Sequence, residues 1–119
     1  PKILANGNLL LFDNRGKGEI STVCELDPVT HAVLWEYSGT PAEPFYSKTC
    51  GTAYRLANGD TLINESDGGR SFELAPGSPG SDGAIVWEFF NPHRGGPEQE
   101  FIACLYDLQR VPARLAWLE

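Results

Sequence analysis

The sequence predicts an all-β chain made of a repeated four-stranded antiparallel unit, and three observations carry this. Short apolar runs alternate with Gly, Pro, Asn and Asp turns along the chain, and no stretch holds a long helical period. The pairs Asn6-Gly7 and Asn58-Gly59, and Trp35-Glu36 and Trp87-Glu88, each recur at a spacing of 52 residues. Between them, Glu25-Leu26-Asp27-Pro28 and Glu73-Leu74-Ala75-Pro76 recur at a spacing of 48. Three anchors in the same order, at a period near fifty and in all-strand units, are the pattern of a β-propeller or related repeat array. The expected architecture is a β-propeller fragment, one partial domain over residues 1–119. It holds two four-stranded antiparallel blades, at 1–37 and 52–90, and the start of a third at 101–119.

Each element follows from local chemistry. Pro1 to Ala5 reads as a strand, closed by Asn6-Gly7, a hairpin pair tolerant of positive φ. Leu9 to Phe12 is a continuous apolar run, as in a strand buried on both faces. Ser21 to Leu26 is the third strand, with Cys24 expected as a small core residue. Asp27 to His31 is a turn, with Asp capping it and Pro fixing φ. Ala32 to Tyr37 is the fourth, with Trp35 and Tyr37 on one face. The second unit repeats the order at Thr52–Leu56, Thr61–Glu65, Arg70–Leu74 and Ala84–Phe90. The turn Ala75–Gly83, holding Pro and Gly, is expected to be mobile. Phe101–Leu108 and Gln109–Pro112 are expected to open a third unit, because Arg110-Val111-Pro112 echoes Arg55-Leu56-Ala57. The tail Ala113–Glu119 reads as a strand or one helical turn.

Composition excludes several function classes. A formal net charge of −7 with no basic stripe argues against nucleic acid, whose phosphates need clustered Lys and Arg. No apolar run approaches the roughly 20 residues that span a bilayer, so no membrane partner is expected. Cys24, Cys50 and Cys104 form no CxxC pair, so no metal site is expected; one disulfide plus a free thiol, or three thiols, both fit. The chain begins at Pro1 without a signal-like segment and is expected to be a piece of a longer protein. Two blades cannot close a ring, so the chain alone is expected to be unstable or to self-associate, needing the remaining blades as partners.

Strand alternation places the second-to-third-strand turns and the two long connections, Ser38–Gly51 and Asn91–Glu100, at one end of the sheets. That end gathers the candidate binding residues Asn14, Tyr46, Lys48, Arg70, Arg94 and the candidate catalytic residue His93, with Asp13, Arg15, Phe45, Ser47, Glu65, Ser66, Asp67 and Asn91 beside them. His93 reads as a general acid, base or nucleophile, or as a loop cap facing water. Arg70, after Gly68-Gly69, reads as an anion fork or as the partner of Asp67 or Glu65. Tyr46 and Lys48 carry the same double reading. His31, at the opposite end, reads as a solvated turn residue. Trp35 and Trp87 read as packing between neighbouring sheets.

The runs Asn6–Asn14, Glu25–Thr30, Trp35–Gly39, Asn58–Arg70 and Trp87–His93 resemble the bacterial arylsulfotransferase (arylsulfate sulfotransferase-like) propellers over most of the chain. Leu26–Trp35 also resembles the tryptophan-docking repeat of quinoprotein-type propellers, with His31 where that repeat usually has Gly. The first resemblance implies a six-bladed propeller that moves a sulfuryl group from a phenolic sulfate ester to another phenol through a histidine nucleophile, without a nucleotide donor or other cofactor. It implies a periplasmic or extracellular setting and places further active-site histidines N-terminal to Pro1. The second implies a non-catalytic binding or scaffold module.

Overall fold

The computed structural model describes residues 1–77 and 83–112. These form antiparallel sheets only, with no helix among the described residues. The first sheet is a meander of β1 (Lys2–Ile3), β2 (Leu9–Asp13), β3 (Thr22–Leu26) and β4 (Val33–Tyr37). The second is a meander of β5 (Thr52–Arg55), β6 (Thr61–Glu65), β7 (Arg70–Ala75) and β8 (Ala84–Phe90). A two-stranded sheet pairs β9 (Arg94–Gly95) with β10 (Phe101–Ile102).

The repeat seen in the sequence is also a repeat of register. Glu25 lies opposite Trp35 in the first sheet and Glu73 opposite Trp87 in the second, each beside a register shift at the next residue. The Asn-Gly turns are longer than a two-residue hairpin. The Leu4 carbonyl accepts from the Gly7 amide at 2.9 Å, and the Leu56 carbonyl from Gly59 at 3.0 Å. Only the glycines are left-handed, with φ of 88° and 91°, so one left-handed residue after a right-handed turn suffices. His31 has φ of 62°, in the left-handed region that glycine adopts more readily.

The sheets meet through four rings. Phe45, delivered by the 38–51 connection, packs against Phe12, Tyr37 and Phe72 at centroid distances of 5.5, 5.6 and 5.6 Å. Phe45 is 2% exposed, so it is core and not part of a ligand rim as its loop position suggested. Leu10, Val23, Ala53, Ile63 and Leu74 complete this cluster. The connection can pass so close because position 51 lacks a side chain: a Cβ on Gly51 would strike the Phe12 ring.

Residues 101–112, expected to open a third unit, are mostly irregular. Only Phe101–Ile102 is strand, and 103–112 lie across the second sheet on discrete anchors. The Asn64 amide donates to the Leu105 carbonyl at 2.7 Å, the Leu105 amide donates to Ser66 O at 3.0 Å, and Tyr54 donates to Asp107. A strand needs a neighbour at its edge to pair with, and among the described residues 103–112 have none. Cys24, Cys50 and Cys104 are free thiols; Cys24 is half-buried, short of a full core position, and burial pushes its thiol up. The expected mobile stretch of the 75–83 turn and the 113–119 tail fall largely or wholly outside the described residues.

Three outcomes are expected in urea denaturation. Phe45→Ala should cost about 3–5 kcal/mol, as for a buried ring, while Phe101→Ala, at 64% exposure, should stay within about 0.5 kcal/mol. His31→Gly should stabilise by about 1 kcal/mol by relieving the left-handed backbone.

Candidate functional site

One end of the two sheets carries the long connections, and the structure bolts them down with buried polar groups. Asn14, just past β2, donates from Nδ2 to the Ser47 carbonyl at 2.8 Å and the Cys50 carbonyl at 3.0 Å. Ser21 Oγ accepts from the Ser47 amide at 2.8 Å and donates to the Asn14 carbonyl at 2.9 Å. In the second sheet the Asn91 amide donates to the Gly69 carbonyl at 2.7 Å. Asn14 is thus a strut for the connection: its amide hydrogens are spent on backbone.

Arg70 is also engaged inside the protein. It lies at the start of β7, faces the first sheet and stacks on Phe72 at 4.4 Å. Its Nη1 meets Glu65 at 3.3 Å and its Nη2 meets Glu88 at 3.1 Å. Nη1 also reaches the Pro44 carbonyl at 3.4 Å, and the buried Nε has no partner. The ion-pair reading with Glu65 is the one observed. Burial pushes the Glu65 carboxyl up to about 7, against the pull of Arg70 and of the Tyr46 amide. Tyr46 is half-buried on the same segment, and Lys48 is exposed beyond it.

His93 is exposed, and its backbone amide donates to Asn91 Oδ1 at 3.0 Å. Its carbonyl accepts from Ala103. Arg94 is exposed on β9 opposite Ile102. His93 and Arg94 therefore sit on the small sheet, while Tyr46 and Lys48 sit on the other connection. The six candidates are not gathered around one cavity. A cavity at this end, about 240 Å³, is lined instead by Lys17, Ile20, Ser38, Pro41, Pro44 and Phe45. Lys17 there pairs with Glu36. A lysine in a polar turn gives no sequence signal that it borders a cavity.

The opposite end holds a repeated device that tryptophan spacing alone only hinted at. Glu25 accepts from Asn6 and Asn8 at 3.0 and 2.8 Å and from Arg55 of the second sheet at 2.9 Å, and Arg55 lies over Trp35 at 5.4 Å. Glu73 repeats this: Arg110 donates to it from Nε at 3.1 Å and lies over Trp87 at 4.7 Å. Burial raises Glu25, but the bonds from Asn8, Asn6 and Arg55 outweigh it and hold the carboxyl below its ordinary value. In the second copy Asp60 stands in place of Asn8, and its hydrogen bond with Glu73 raises the Asp60 carboxyl. Among the described residues no cluster of His, Cys, Asp and Glu is suited to a metal ion.

Comparison with known proteins adds little. No family model and no curated protein matches the chain. A crystal structure of a protein of unknown function from Bacteroides caccae is similar at 17% identity and a TM-score of 0.34, over 79% of this chain and 46% of that one. The chain thus spans about half the length of that protein.

Removing Arg55 leaves the buried Glu25 carboxylate without its cation. Arg55→Ala should cost about 1–3 kcal/mol in denaturation. Arg110→Ala leaves the equally enclosed Glu73 without its cation and should likewise cost about 1–3 kcal/mol.

Proposed function

We propose that the chain is two adjacent blades and the opening of a third in an arylsulfotransferase-like β-propeller. The whole protein would transfer sulfuryl groups between phenolic sulfate esters and phenols. The observation that supports this best is the residue-by-residue repeat: Glu25, Trp35 and Arg55 recur as Glu73, Trp87 and Arg110, with the long connections at the opposite end. The motif resemblance supplies the reaction, and with it a periplasmic or extracellular setting. The remaining blades would be the chain's partners.

In such a transfer a histidine nitrogen bonds to sulfur as the aryl oxide leaves, and an acceptor phenol then displaces the histidine. Charge on the sulfate oxygens requires cations or N–H donors aimed at them. In this sector His93, Lys48 and Arg94 are exposed at the loop end and available for such contacts. Arg70 and Asn14 would act by holding the connection that carries Tyr46 and Lys48. The second reading, a binding or scaffold module without chemistry, is favoured by one observation: Arg70 and Asn14 are committed to internal partners.

The test is an assay of the full-length parent with a chromogenic phenyl sulfate and a phenol acceptor. Turnover is expected, with His93→Ala lowering kcat about 10²-fold or more and Arg70→Ala lowering thermal stability more than rate. A folded parent that binds aryl sulfate calorimetrically without turnover would establish the scaffold reading. Unchanged turnover in His93→Ala would remove His93 from the chemistry.

A further inference from the structure

We propose that the Glu65–Arg70–Glu88 cluster, buried at Glu65 and Arg70, is a proton-sensitive pin that sets how tightly residues 44–46, and with them Tyr46 and Lys48, are held on the second sheet. The proposal concerns the protein's response to pH, and its functional relevance rests on the reading of this end as ligand-facing.

Charge counting carries the argument. Two carboxylates flank one guanidinium, so the cluster is neutral only when one of them holds a proton. Glu65 is the one enclosed: its side chain is 11% exposed, against 37% for Glu88. The groups facing it come from each packed element. They are Arg70 on β7, Glu88 on β8, and the Tyr46 amide on the 38–51 connection, while the 66–69 turn adds Gly68, where a Cβ would collide with the Glu65 carboxylate. None of these is a second cation. Arg70 also donates to the Pro44 carbonyl, so the same guanidinium ties the connection to the sheet.

The sign follows from burial. The folded state holds the Glu65 proton up to about 7, above its ordinary value of 4.5. Its stabilisation is therefore complete below the unfolded value and is lost as pH rises through the folded one. Above that range the buried Glu65 carboxylate and the more exposed Glu88 carboxylate share one guanidinium, and the connection is held less firmly.

The test is amide hydrogen exchange at Tyr46 and Ser47 from pH 5 to 8, corrected for intrinsic rates, on the full-length parent and its Glu65→Gln variant. The ratio of wild-type to variant opening constants should rise with pH, by up to about tenfold per unit below pH 7, and level off above it. A ratio constant with pH would overturn the proposal. Should the variant not fold, the carboxyl carbon of Glu65 in the wild-type chain decides by NMR. A midpoint near 7 that Tyr46 and Ser47 amide shifts follow supports the pin; a midpoint near 4.5, or amides that do not follow, overturns it. Neither readout uses sulfuryl transfer, so absence of turnover in the parent leaves this result standing.

Discussion

The packing of Phe45 between the two sheets is the constraint on which the rest depends. A four-stranded meander has an apolar face it cannot bury alone. Here the loop joining the sheets supplies the ring that fills the space between Phe12, Tyr37 and Phe72. Because that ring is held in the core, the loop's backbone is fixed at the same point. Asn14, Ser21 and Arg70 can then satisfy its carbonyls and amides with their side chains. Connection, core and loop end are one mechanical unit.

The opposite end works by charge and stacking. Each sheet places a glutamate and a tryptophan side by side across the third and fourth strands. An arginine from the next stretch of chain lies on the ring and binds the carboxylate. The guanidinium suits both tasks, being planar and forked. In the first clamp two asparagines complete the carboxylate's partners; in the second Asp60 takes one of those places and must be protonated to donate. The two copies therefore share geometry but differ in chemistry.

The tyrosine and phenylalanine that follow the tryptophans record what each sheet faces. Tyr37 is 4% exposed beneath the second sheet, while Phe89, its counterpart, is 37% exposed and among the described rings stacks only on Trp87. Equivalent sequence thus meets unequal cover. The second sheet has the 103–112 segment where the first has a whole sheet.

Strand order, turn positions and the duplication were legible in the chain because they depend on neighbours a few residues apart. Alternation places a face, Asn-Gly and Asp-Pro bend the backbone, and two tryptophans at one spacing mark a repeat. The roles of polar loop residues were not legible in that way. Arg70 meets Pro44 and Glu88, Asn14 meets Ser47 and Cys50, and Phe45 meets Phe72, all far apart in sequence. An arginine after two glycines has the same local chemistry whether it faces an anion in solvent or a carboxylate in the core. Only the docking of one sheet on the other decides between them, because burial is a property of the assembled faces and not of either strand.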